Sequence, residues 1–139
     1  MVRSRDGRLP AVIYCHCNSG SRRDAEEILW HLLPRQVTVL ALDCAGSGLS
    51  EGAYVSLGAY EVEDVAAAVA YLRSEGGACS VGLWGRSMGA VSALLLAARD
   101  PSLAGVVADS AFSRLADLML ELSSETALRI PRPFARLAL

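Results

Sequence analysis

The sequence predicts an α/β fold of three layers, a sandwich with a parallel sheet between two layers of helices. Two observations predict it. Four short apolar runs alternate with helical patterns along the chain, and runs that stay apolar without a polar alternation are strands covered on both faces. Polar, Gly-rich stretches ("HCNSGS", "DCAGSGLS", "GRSMGA" and "DSAFS") each follow the end of a run, and the carboxyl ends of parallel strands are where such sheets bind ligands. The 139 residues make one domain, 1–139. A domain of that size hides roughly two-thirds of its unfolded surface.

The first run, "AVIYCH" (residues 11–16), is followed by a helix over 21–33. Ser21 caps it, with Asp24 at the capping-box position, and Glu26 and Glu27 sit at the positive end of its dipole. Ala25, Ile28, Leu29 and Leu32 form its apolar stripe, and Pro34 ends it. The second run is "VTVLALD" (37–43). After a Gly-rich turn comes a helix over 59–74 with Val62, Val65, Ala66, Val69 and Leu72 on one face, closed by Gly76 and Gly77. The third run, "CSVGLW" (79–84), leads through residues 85–89 into a helix over 87–99, stopped by Asp100 and Pro101. The fourth, "LAGVVAD" (103–109), precedes a helix over 114–128 with Ser113 placed to cap it. The arginine-studded "RIPRPFARLAL" ends the chain.

With 53% hydrophobic and 20% charged residues, the composition is globular rather than disordered. A net charge of −2 gives no electrostatic basis for binding nucleic acid. All 13 basic residues are Arg. A guanidinium keeps its proton in proteins, so a Ser–Lys dyad and a Schiff-base mechanism are excluded. The start, "MVRSRDGRLP", has no apolar core of a signal peptide. The longest apolar runs, such as "AVSALLLAA", fall far short of the ~18–20 residues of a membrane span. Cys15, Cys17, Cys44 and Cys79 lack paired CxxC spacing and read as reduced structural thiols of a cytoplasmic protein.

The chemistry is concentrated in "GLWGRSMGA" (82–90). "GRSMG" fits G-x-S-x-G with a strand before it and a helix after it, the context in which that motif presents a nucleophilic serine. On so tight a turn, side chains two residues before and after the serine would collide, so Gly85 and Gly89 are required. The turn lifts the Ser87 hydroxyl clear of the sheet. It also sets Ser87 at a helix N-terminus, where free N–H groups favour developing negative charge, with the Met88 N–H as one oxyanion donor.

Together these stretches resemble the α/β-hydrolase superfamily, and most closely its serine-aminopeptidase-like branch, over nearly the whole chain. "HCNSGS" stands where that family has an oxyanion loop beginning His-Gly, and "DCAGSGLS" is similar to its D-x-x-G-x-G-x-S segment. "GRSMGA" is the elbow, and "LAGVVADSAFS" is similar to the strand and turn that follow. The resemblance implies that the four strands are the family's third to sixth, side by side as 4-3-5-6, with the loop after residues 12–16 beside the elbow. It implies a second oxyanion donor at the backbone N–H of Asn18. It further implies an acyl-enzyme at Ser87 formed on a small-molecule or acyl substrate with an ester, thioester or amide bond, and no cofactor or metal.

Two departures stand out. Cys17 occupies a position that is usually Gly, where a Cβ would restrict a loop whose backbone must approach substrate. The family's chain order is Ser, then acid, then His, yet no His occurs after position 31. The family's first two strands are absent or reduced to "MVRSRDGR". The expectation is therefore a truncated domain, the middle of a hydrolase, with near-zero activity alone. The alternative is a non-catalytic interaction protein that self-associates through exposed sheet edges.

Substitutes for the missing base are few. His16 lies at the mouth of the site, where it organises the oxyanion loop, and His31 lies in a helix at the surface. Asp109 ends the strand next to the elbow; it is a possible orienter of a histidine, but the preferred role is a turn-forming Asp bonded to the "SAFS" backbone. Asp43 organises the "AGSG" loop. Cys15, His16, Cys17 and Cys44 are close in sequence or motif, but strand alternation turns His16 away from Cys15 and Cys17, so no metal site is read there.

Overall fold

The structure is a computed structural model that describes residues 7–125. Its sheet is formed by β1 (Ala11–Cys15), β2 (Thr38–Ala41), β3 (Val81–Arg86) and β4 (Val106–Asp109), all parallel, in the order β2-β1-β3-β4. This is the order the family resemblance implied. The registers Cys15↔Gly85 and Arg86↔Asp109 bring the loops after β1, β3 and β4 to one end of the sheet.

The two faces of the sheet are covered differently. On one face Ile13, Cys15, Val81 and Leu83 pack against Val62, Val65, Val69 and Leu72 of α2 (Glu61–Ser74) and Ala93 and Leu96 of α3 (Met88–Arg99). Each fully buried aliphatic side chain there contributes about 1.5–3 kcal/mol. On the other face α1 (Glu26–Leu32) sets Ile28 against Tyr14, with Val12, Val39, Ala41 and Trp84 around them.

The predicted helix over 21–33 is three pieces. Ser21 caps as expected, with both bonds of the capping box formed to Asp24, but the first turn, Arg22–Ala25, is a 3-10 turn. A second one, Leu33–Arg35, follows α1 and contains Pro34 near its start, where the missing N–H costs nothing. The α-helix thus ends at Leu32, just before Pro34, and the chain leaves the 3-10 turn through Gln36 in the left-handed region (φ 58°). Periods of 3.0 and 3.6 are indistinguishable over one turn of sequence.

The second helix starts at Glu61, two residues later than predicted. The buried Glu61 carboxylate reaches back to accept from the Ser56 N–H (2.7 Å), the Ser56 hydroxyl (2.5 Å) and the Gly58 N–H (2.8 Å), which holds this stretch as a loop. Burial by itself would raise the Glu61 carboxyl, but the bonds from Ser56 and Gly58 outweigh it and hold it below its ordinary range. β3 runs to Arg86, two residues beyond the predicted run, because its last residues pair with β4. α4 spans Leu115–Glu125. The predicted helical positions 126–128, the arginine-rich tail and residues 1–6 lie outside the described residues.

Candidate active site

Ser87 joins β3 to α3 with φ 52° and ψ −114°, a conformation that L-residues rarely adopt. Its side chain makes no capping bond to the helix, so the hydroxyl is left for other chemistry. Its carbonyl accepts from the Val91 N–H (3.1 Å) and its N–H donates to the Asp109 carbonyl (2.8 Å). The two glycines are required, as expected, but for different reasons. A Cβ at Gly85 would run into the backbone of Gly89 and Ala90, within the elbow. A Cβ at Gly89 would run into the carbonyls of Cys15 and His16. The second glycine therefore lets α3 seat directly on the end of β1.

That contact brings the loop after β1 beside the elbow. Met88 is the first residue of α3, so its N–H has no intrahelical acceptor. Asn18 is exposed in the turn closed by the Gly20 N–H to Cys17 carbonyl bond (3.0 Å). Cys17 is half-buried and outside the left-handed region. Its backbone therefore carries no left-handed strain.

His16 is completely buried. Its Nε2 accepts from the Cys44 N–H (3.1 Å), so the ring proton sits on Nδ1 and is donated to the Cys17 carbonyl (2.7 Å). Both nitrogens are thus engaged by backbone, tying the loop after β1 to the loop after β2. His31 is exposed in the last turn of α1. Asp43 makes the matching tie from the other loop, and its side chain is 2% exposed. Its carboxylate accepts from the Arg22 N–H (2.7 Å) and the Leu49 N–H (3.0 Å), bonds that hold it below the usual carboxylate range. Gly48, at φ 56°, passes so close that a Cβ would strike this carboxylate.

A family model for the alpha/beta hydrolase fold matches residues 10–139. The chain belongs to the α/β-hydrolase family. Among solved structures it is similar to an esterase from Pyrococcus furiosus, at 26% identity and a TM-score of 0.79, covering 95% of this chain and 53% of that one. It has the same fold as Est1E from Butyrivibrio proteoclasticus, solved with ferulic acid bound (20% identity, TM-score 0.70, 95% of this chain and 55% of that one). The same holds for a monoacylglycerol lipase from Paleococcus ferrophilus (19%, TM-score 0.63, 87% and 50%). The chain spans about half the length of these structures. Curated proteins yield no match. The family model is that of the hydrolases at large, and the serine-aminopeptidase-like branch rests on the motifs alone.

In this member of the family Asp109 is engaged otherwise than the sequence suggested. Its carboxylate does not bond the backbone of the following turn. It accepts from Arg86 Nε (2.9 Å) and the Ser110 hydroxyl (2.8 Å), and these bonds, the one from Arg86 foremost, hold it below the usual range. Cys15 is buried and its thiol is pushed up by that burial; burial, with Asp64 and Glu61 nearby, pushes Cys44 up to about 12. Neutral, buried thiols of this kind are unreactive. All four cysteines are free. Among the described residues no three His, Cys, Asp or Glu side chains gather to hold a metal, and no helix is long and apolar enough to cross a membrane.

Sequence reasoning passed over Arg86, Glu27, Tyr14 and Glu61. Arg86 had a signal: it is a charged residue at the variable position of the elbow, two residues after Trp84 and so on the same sheet face. Glu27 had none, because its partners come from elements far apart in sequence.

Proposed function

We propose that Ser87 is the nucleophile of a serine hydrolase acting on small-molecule or acyl substrates through an acyl-enzyme. The observation that carries this is the strained Ser87 backbone, walled by Gly85 and Gly89 and opening onto the N-terminus of α3. The Ser87 oxygen would attack the substrate carbonyl, its proton would pass to a base, and the new oxyanion would accept from the N–H groups of Met88 and Asn18. The scheme uses no metal or cofactor. Ester bonds are the favoured substrate class among esters, thioesters and amides, since the esterase from Pyrococcus furiosus shares this fold and 26% of the aligned residues. The motif resemblance supports the serine-aminopeptidase-like branch, and the free thiols support a cytoplasmic setting.

His16 and His31 are the only histidines of the sequence. The first is held by backbone at both nitrogens, and the second is exposed in the last turn of α1, where it lines a cavity with Glu27, Arg86 and Asp109. Among the described residues neither histidine bonds the Ser87 hydroxyl, and on this reading the chain alone is near-inert, because a nucleophile without its base loses several orders of magnitude in rate. His16, Cys17, Asp43 and Asp109 act as site-shaping groups that fix the loops. The open edge at β4, with Val107 45% exposed, supports self-association as a second reading.

Supplying the base from solution tests the nucleophile assignment. The chain is incubated with a fluorophosphonate with and without free imidazole, and the modified residue is mapped by mass spectrometry. Imidazole-dependent modification at Ser87, lost in Ser87→Ala, is expected. Equal modification of several exposed serines would refute it.

A further inference from the structure

The strained conformation of Ser87 needs something to hold it, since backbone in such a region costs about 1–3 kcal/mol. The glycine walls permit the turn but do not pull on it. The pull comes from Asp109, which grips both residues of the elbow: its carbonyl accepts the Ser87 N–H at 2.8 Å and its carboxylate accepts Arg86 Nε at 2.9 Å.

Arg86 has a second anchor on the same face of the sheet. Its terminal nitrogen NH1 pairs with Glu27 Oε2 of α1 at 2.8 Å. Glu27 Oε1 accepts from the hydroxyl of Tyr14 at 2.8 Å, and Tyr14 is wholly buried in β1 two residues before His16. One guanidinium thus spans two carboxylates, and the chain Tyr14–Glu27–Arg86–Asp109 crosses from the strand that carries the oxyanion loop, over α1, to the strand beyond the elbow. Exposed ion pairs taken singly contribute little. This one is different in geometry, because the planar fork of Arg meets two carboxylates, and the residue that carries one of them also accepts the Ser87 N–H through its backbone carbonyl.

We infer that Arg86 is a positioning residue, which holds Ser87 in its nucleophile geometry by bridging Asp109 and Glu27. The function of this tether rests on the reading of Ser87 as the nucleophile. Asp109 thus bonds Arg86 through Oδ2 and Ser110 through Oδ1.

The test is amide hydrogen exchange, resolved to single residues, on the whole chain and on Arg86→Met, Arg86→Lys and Glu27→Gln. Arg86→Met is expected to speed exchange at Ser87 by about tenfold or more while Ile13 and Leu83 keep their protection. Arg86→Lys is expected to restore protection only in part, because an ammonium on a flexible stem does not span both carboxylates. Glu27→Gln touches neither Ser87 nor Asp109, yet the same local loosening in a smaller degree is expected. Unchanged exchange at Ser87 in Arg86→Met, or a uniform acceleration that includes Ile13 and Leu83, would overturn the inference. The readout needs no reaction at Ser87, so failure of imidazole-dependent fluorophosphonate labelling would sink the nucleophile reading and leave this tether standing.

Discussion

The end of the sheet around β1 and β3 and the flank around β4 and α1 are built to different standards. At the first, His16 is fully buried and doubly bonded, the Asp43 side chain is 2% exposed, and Gly85 and Gly89 admit backbone where no side chain fits. At the second, Val107 is 45% exposed and Trp30, beside the α1 stripe, is 83% exposed. The difference teaches where this fold is rigidly specified. Around Ser87 the backbone is packed so closely that Gly85 and Gly89 admit no side chain, while the β4 and α1 flank reaches the same turn through the half-exposed bridge of Arg86 to Asp109 and Glu27.

Substitutions on the two sides should therefore differ sharply, and the largest effect is expected at Gly89. Gly89→Ala has no room beside the carbonyls of Cys15 and His16. A loss of about 3 kcal/mol or more is expected in urea unfolding, and a loss under about 1 kcal/mol would mean that α3 does not seat on β1 as described. Asp43→Ala comes next. It strands the N–H groups of Arg22 and Leu49, at a cost of about 2–3 kcal/mol, visible as a lower midpoint with an unchanged slope.

A pH series sharpens the same contrast. The carboxyls of Asp43 and Glu61 are both held below their ordinary range. Groups whose folded pKa is depressed stabilise fully above the unfolded value, about 3.9–4.3, and that contribution is lost as pH falls through the folded value. Stability should thus be flat near neutrality and drop below about pH 4. Asp43→Asn should show lower stability at neutral pH and a shallower acid drop. The smallest effect belongs to the open flank: Val107→Thr should stay within about 0.5 kcal/mol of the parent, and a larger loss would mean that this surface is covered in solution.

The fold and the elbow were legible in the sequence because their signals are local. Gly85 and Gly89 two residues to either side of Ser87, Ser21 with Asp24 three residues on, and apolar runs without alternation each carry their structure within a few positions. The sheet order came from the family resemblance and could not have come from periodicity. What stayed hidden depends on contacts between distant segments. Glu61 delays α2 because its carboxylate folds back onto Ser56 and Gly58. Asp109 bonds Arg86 because β3 and β4 are paired in register, which a turn-forming propensity does not encode.

The central claim is that this chain presents a nucleophile without its base. Fluorophosphonate labelling at neutral pH with no added imidazole, comparing the chain with Ser87→Ala, tests it most directly. The expected result is labelling close to that of Ser87→Ala. Strong labelling of the chain that Ser87→Ala abolishes would contradict the claim and require a base within these residues.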